Sequence, residues 1–418
     1  VKTELPVYIG EDALTRLIDF LDSNHMQHFY LVADQNTYAA LGHAAQQALV
    51  DHGFDVKTIV LDGQEILADE HYIVQVLVRA GREDRVYISA GSGTITDIVR
   101  FVSHRTKTVF VSLPTAPSVD GYSSGGAPLV LGGVKETVYT HPPLAIFGDL
   151  ETLCAAPRPM IASGFGDMLG KYTALADWKL GHVLWDEPYS QEIAQRAWNT
   201  LENCVDHALE IGTASPKGIH SLMDALTESG LCMVDFGASA PASGSEHYLS
   251  HFLELKLLRE KRPAVLHGAK VGAASVLVAK YYEKIRQLSQ DQASHLLEAA
   301  HLPDREREIR RIRTAYPDIA DAVIAQQEPF LNMSEADYNQ LKRRIIDHWA
   351  EVQDIAAMVP PAQSVTDLLR QVGGPVDFKA LGFDDQEVSL ALEYGHYYRN
   401  RFTAIKLCYY LGLHPLSD

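Results

Sequence analysis

Cysteine is scarce. Cys154, Cys204, Cys232 and Cys408 are the four in 418 residues, far apart and never in a C-x-x-C pair. This excludes a disulfide framework and a cysteine-built zinc ribbon, and it fits a reduced, cytoplasmic chain with buried thiols. Positive charge is also short: 36 Lys and Arg stand against 54 Asp and Glu, for a net charge of −18. Nucleic acid and anionic membrane are disfavoured as partners, because both need a basic footprint. A small anion held in a local pocket is not. Long apolar runs are missing. No window of about 20 residues is both uncharged and strongly apolar, so no membrane insertion is expected. The best stretch, 268–282, is broken by Lys270 and Lys280 and reads as a buried helix. The start, Val1-Lys2-Thr3-Glu4-Leu5-Pro6, shows no apolar run behind a basic segment, so no secretory signal is expected in it. Internal repeats and low-complexity tracts are absent too.

What is present is a globular composition, with 46% hydrophobic and 22% charged residues. At roughly 150 residues per domain the length predicts two or three domains. About three quarters of the unfolded surface can be buried without disulfide or metal support. The first 150 or so residues alternate short apolar runs with helical stretches. Strands are predicted over 29–33, 56–61, 85–90 and 108–112, and helices over 38–50, 66–80 and 95–102. This cadence marks a Rossmann-like parallel sheet covered by helices. Residues 127–131 and 134–139 read as a hairpin on the turn Gly132-Gly133, and 144–147 as a last strand. After Pro157-Arg158-Pro159 the period is helical throughout. An α/β domain over 1–157 followed by an all-α domain over 158–418 is therefore expected. In the second part a helix capped by Ser334 should run toward Met358, where Pro360-Pro361 stops it. Another should run over 387–411. The charged run 304–313 reads as a solvated helix face.

Three motifs carry chemistry. Gly91-Ser92-Gly93-Thr94-Ile95-Thr96-Asp97 follows a strand and opens a helix, where glycines and free N–H groups suit a pyrophosphate. It departs from G-x-G-x-x-G at Thr96, and taken alone it reads sooner as a plain tight turn. Asp34, ending an earlier strand, suits either a ribose or a helix cap. The rigid polar loop Leu113-Pro114-Thr115-Ala116-Pro117-Ser118-Val119-Asp120-Gly121 also follows a strand. In open α/β sheets ligands sit beyond the carboxyl ends of strands. The third motif is dispersed. His247 and His251 stand at i and i+4 in Ser245-Glu246-His247-Tyr248-Leu249-Ser250-His251 and share a helix face. Tyr248 occupies the Glu position of H-E-x-x-H, so this is not a metalloprotease motif. His267 opens another helix, and Asp167 sits in Gly164-Phe165-Gly166-Asp167. One Asp with two His would form an N/O metal set with open positions. The same residues could also be satisfied helix histidines and a capping Asp.

Together these motifs resemble the sn-glycerol-1-phosphate dehydrogenases, especially the bacterial branch. That family lies within the larger group of iron-type alcohol dehydrogenases, glycerol dehydrogenase and dehydroquinate synthase. The resemblance spans essentially the whole chain, and 171–179 resembles this branch more than plain glycerol dehydrogenases. It implies a dehydroquinate synthase-like fold and NAD or NADP held by Gly93, Thr94, Ile95, Thr96, Asp97, Thr115, Ala116, Pro117 and Ser118. Ser124 would lie nearby and Asp34 at the adenosine ribose. It implies one divalent ion, zinc or nickel, on Asp167, His247 and His267. Asp120, Asp167 and His251 would contact the substrate. Lys171, one turn beyond Asp167, is the candidate for its phosphate, although it also reads as a surface lysine. The implied reaction interconverts dihydroxyacetone phosphate and sn-glycerol 1-phosphate, a phospholipid-type glycerol phosphate, in a cytoplasmic homodimer. A polyol dehydrogenase and a dehydroquinate synthase-like cyclase are the alternatives within the fold.

Overall fold

The computed structural model describes residues 4–81 and 83–415. Eight strands come first: β1 (Val7–Gly10), β2 (His28–Asp34), β3 (Asp55–Leu61), β4 (Val86–Gly91), β5 (Phe110–Pro114), β6 (Gly126–Leu131), β7 (Val134–Tyr139) and β8 (Ile146–Asp149). Six form a parallel sheet in the order β1-β8-β5-β4-β2-β3. Alternate residues of β2 enter different cores. Phe29, Leu31 and Ala33 pack on one face, and Tyr30 and Val32 on the other. Both faces are covered, so the strand reads as an unbroken apolar run. The hairpin β6–β7 is separate and antiparallel, with Leu131 opposite Val134. Gly132 and Gly133 both have positive φ, at 59° and 81°, as its two-residue turn requires.

From β2 the chain moves outward to β3, then returns to place β4 on the other side of β2. The order therefore reverses between β2 and β4, the crevice where open α/β sheets take ligands. Asp34 ends β2 and Gly91 ends β4, so the two flank that point.

Beyond β8 the described chain is helical. It divides into two compact units. One holds the chain up to Met168 with Glu202–Ala238 and Gln371–Gly373; the other holds Leu169–Leu201, Ser239–Arg370 and the chain from Gly374. The change of secondary-structure period near 157 thus precedes the division, which falls inside the long helix Arg158–Trp185.

Several expected helices differ. Ser334 does cap a helix, reciprocally with Asp337, but that helix ends at Asp347 and a second runs Trp349–Met358. The break at His348 lets Trp349 turn inward, where it is buried. The helix expected over 387–411 is three pieces: Asp385–Tyr394, a 3₁₀ turn Gly395–Tyr397, and Ala404–Tyr410. The last begins where Ala404 N–H donates to the buried Asp177 carboxylate at 2.7 Å, which satisfies an orphan donor of that helix. The charged run forms the helix Arg305–Ala315, but not as a wholly solvated face. Glu308 and Ile312 are buried. The Glu308 carboxylate accepts the Tyr397 hydroxyl, and Arg311 donates to Tyr397 and Glu393. The helix His267–Gln287 is largely buried, as its composition predicts. No described helix is long and apolar enough to cross a membrane.

Candidate metal centre and nucleotide loops

The two candidate nucleotide loops lie in the first unit. Ser92 gives no side-chain cap to the helix Gly93–Arg105, so the first-turn N–H groups meet no hydroxyl competitor. A Cβ at Gly91 would lie 2.6 Å from Ile95, and one at Gly93 2.9 Å from Val119. These glycines therefore serve close packing of the turn. Thr115 N–H donates to Gly91 O at 3.3 Å and ties the two loops together. The Tyr122 hydroxyl donates to Ala116 O at 2.5 Å and locks the 115–118 turn. Asp97 pairs with the buried Arg100 at 2.7 Å. Arg100 also donates to the carbonyls of Gly121, Tyr122 and Gly126. So Asp97 anchors the guanidinium that holds the 121–126 segment. Ser124 donates to Gly121 O and Gly126 O in the same segment. The Asp34 carboxylate accepts Thr37 N–H at 2.8 Å in a capping box. The cap reading of Asp34 is thus realised, at the carboxyl end of β2.

Asp167 projects from the helix Arg158–Trp185 and is fully buried. A buried carboxylate needs donors or a cation. One donor is Asp120 N–H, 3.0 Å from Asp167 Oδ2. The Asp120 side chain in turn accepts the Ser229 hydroxyl at 2.9 Å. The helix reaches the loop closely because Gly164 lacks a side chain: a Cβ there would stand 1.9 Å from Pro117 O.

His247 lies in the first turn of the helix Ser245–Glu260, and His267 opens the helix His267–Gln287. Asp167, His247 and His267 each offer a ligand atom, and these atoms lie within 4.8 Å of one another. Among the described residues this is the group able to hold a metal ion. One carboxylate and two imidazoles suit a divalent cation with positions left open. His251 is outside that group. Its ring lies 5.7 Å from that of His267 and 5.1 Å from that of Tyr398. Its Nδ1 is 3.3 Å from Glu254, which also sits 3.5 Å from the buried Lys270. Lys171 is buried, contrary to the surface alternative.

Glu246 is the residue that sequence reasoning passed over. It is fully buried, and its Oε1 accepts His247 Nδ1 at 2.7 Å and Gly244 N–H at 2.6 Å, while Oε2 accepts the Thr173 hydroxyl at 2.6 Å. With Nδ1 engaged by Glu246, Nε2 is the other ring nitrogen through which His247 could ligate an ion. Burial would push the Glu246 carboxyl up, but the bonds from His247, Thr173 and Gly244 hold it below the usual range. The signal was an acid immediately before a candidate ligand. Beneath it, burial and the charge of Glu246 push Asp177 up to about 6, although it accepts Ser245 N–H, Ala404 N–H and the Tyr282 hydroxyl. Glu246→Gln should lower metal affinity about 10- to 100-fold, because the amide fixes His247 less firmly. Metal titration of stripped protein measures this, and unchanged affinity would remove Glu246 from the centre.

Residues 8–157 match the family model for iron-containing alcohol dehydrogenase. The chain is 36% identical over 402 residues to glycerol-1-phosphate dehydrogenase [NAD(P)+] of Geobacillus stearothermophilus, covering 95% of this chain and 90% of that one. It is 36% identical over 410 residues to the Bacillus subtilis enzyme of the same name, with 97% and 91% covered. In fold it is similar to an alcohol dehydrogenase from Oenococcus oeni, with a TM-score of 0.61, 15% identity, and 97% and 96% covered. It is also similar to sulfoacetaldehyde reductase from Bifidobacterium kashiwanohense in complex with NAD+, with a TM-score of 0.60, 13% identity, and 99% and 98% covered. Carried by near full-length identity and by an α/β sheet followed by helices, the conclusion is that the chain belongs to the NAD(P)-dependent glycerol-1-phosphate dehydrogenase family.

Proposed function

We propose that this protein is an NAD(P)-dependent oxidoreductase that interconverts dihydroxyacetone phosphate and sn-glycerol 1-phosphate, working as a cytoplasmic homodimer. The observation that carries the reading is the convergence of Asp167, His247 and His267. These three would hold one zinc or nickel ion. A bound divalent ion supplies Lewis-acid polarisation of a carbonyl oxygen. The 1–157 portion would bind the dinucleotide through Gly93 to Asp97 and Thr115 to Ser118, with Ser124 alongside and Asp34 at the ribose. The 158–418 portion would supply the metal and substrate contacts. The Asp34 carboxylate would repel a 2′-phosphate, which favours NAD over NADP. Asp120 orients substrate while its own N–H steadies Asp167. His251 delivers the proton to the product oxygen, with Glu254 behind it. Lys171 offsets the substrate phosphate, since a net charge of −18 would otherwise repel it.

Incubation with dihydroxyacetone phosphate and NADH, followed by enantiomer analysis of the product, tests this. sn-Glycerol 1-phosphate is expected. Preference for unphosphorylated glycerol would favour a polyol dehydrogenase, and turnover without net NADH consumption a cyclase. His251→Ala should keep its metal and lose about a hundredfold or more in kcat. A fall in metal content instead would place His251 among the ligands.

A further inference from the structure

Two of the candidate metal ligands, His247 and His267, stand on different helices, and one helix supports both. Gly170 of the helix Arg158–Trp185 lies close against the helix His267–Gln287, where a Cβ would stand 2.6 Å from Val271 Cγ1. One turn on, the Thr173 hydroxyl donates to Glu246 Oε2 at 2.6 Å, beside His247. A further turn on stands Asp177, fully buried. Its carboxylate takes donors from three segments. Oδ2 accepts Ser245 N–H at 2.7 Å, in the first turn of the helix that carries His247. Oδ1 accepts the Tyr282 hydroxyl at 2.7 Å, from the helix that His267 opens, and Ala404 N–H at 2.7 Å. The first of these bonds is a cap supplied from outside. Gly244 precedes the helix Ser245–Glu260 and has no side chain to offer its orphan N–H groups. It also admits the carboxylate, since a Cβ there would stand 2.7 Å from Asp177 Oδ2. A negative charge suits a helix N-terminus. Only an ionised carboxylate serves all three donors, because an amide would turn its own N–H groups toward one side of the set.

We propose that Asp177 is a positioning residue of the metal centre, acting through Ser245 and Tyr282 to hold the helices of His247 and His267 in register on one support. The proposal rests on the reading of Asp167, His247 and His267 as metal ligands. The two imidazole centroids are 5.2 Å apart. Ser245 is two residues before His247, so a slip of that first turn carries the imidazole with it. Glu246, which bonds His247 directly, is in turn held by Thr173, a turn before Asp177 on the same helix. Partners behind metal-bound histidines typically change affinity about 10- to 100-fold. Asp177 stands one step further out than Glu246, so the lower end of that range is expected.

Titration of metal-stripped protein with cobalt(II), followed by visible absorption, tests this, because the bands report the arrangement of ligands around the ion as well as its affinity. Asp177→Asn should bind cobalt(II) about tenfold more weakly than the wild type, with altered bands. Tyr282→Phe, which removes a single oxygen, should weaken binding about threefold. Thermal unfolding of the metal-free proteins separates this from a role in folding alone. A purely structural Asp177 would lower the midpoint and leave cobalt affinity and spectrum as in the wild type, and that result overturns the proposal. If Asp177→Asn does not fold, wild-type affinity in Tyr282→Phe overturns it instead. His247→Ala in the same series tests the ligand reading separately. A wild type that binds no cobalt(II), or a His247→Ala protein that binds it equally well, removes the metal centre and this proposal with it. Loss of binding in His247→Ala beside unchanged binding in Asp177→Asn removes the role of Asp177 alone.

Discussion

Asp167→Asn or His247→Ala should each strip the protein of its divalent ion and of about a thousandfold or more of its turnover. A Lewis acid on the carbonyl stabilises the transition state by several kcal/mol, and each 1.4 kcal/mol is about tenfold in rate. Asp167 contributes the sole carboxylate of the ligand group. An amide there would keep an acceptor for Asp120 N–H but forfeit the negative charge opposite the cation. His247→Ala removes an imidazole and strands part of Glu246, which is buried and built around His247 Nδ1. Metal content by mass spectrometry, NADH oxidation with dihydroxyacetone phosphate, and thermal unfolding should be measured on the same preparations. Loss of metal and turnover in a protein that still unfolds cooperatively is the expected result. Full activity in metal-stripped His247→Ala would remove the mechanism.

Gly164→Ala should be the most damaging single methyl group in the first unit. Its Cβ would stand 1.9 Å from Pro117 O and 2.8 Å from Pro117 C, both backbone atoms. No side chain can swing away, so either the helix or the 115–118 loop must move. Alanine would improve helix propensity by about 1 kcal/mol, but a backbone collision of this size outweighs it, and a net loss of about 2–4 kcal/mol is expected. The displaced loop is the one tied to Gly91 by Thr115 and to the helix by the Ser163 hydroxyl on Ser118 O. The KM for NADH should therefore rise as well. Denaturant titration and cofactor kinetics check both effects. An unchanged midpoint would mean that helix and loop are not in this contact.

Much of the first half was legible because its signals are local. The apolar run 29–33, the Gly132-Gly133 turn and the strand-loop-helix at Gly91 each need only a few neighbouring residues to be read. Strand β1 was missed because it has four residues at the sheet edge and one buried side chain, too short for a period. The interruption between Tyr394 and Ala404 was hidden because a distant carboxylate, Asp177, holds the start of the last helix. Of the candidate site residues, the glycines and histidines stand in short local motifs, whereas the residues that support them do not. Arg100 looks like one cation among apolar helix residues, and its carbonyl partners lie 21 to 26 positions later. Ser229 meets Asp120 across 109 positions, a distance no motif spans.

That last contact bears on biosynthesis. The Asp120 to Ser124 segment is closed from above by the helix Pro216–Phe236: Ser123 donates to Thr227 O, Ser229 to Asp120, and Gly230 is bare where it crosses them. The six-stranded sheet is complete by Asp149, yet this segment stays uncovered until some eighty further residues have left the ribosome. Chains cut short near residue 157 would expose the loop floor to solvent and to one another, making such fragments prone to aggregate rather than to bind nucleotide.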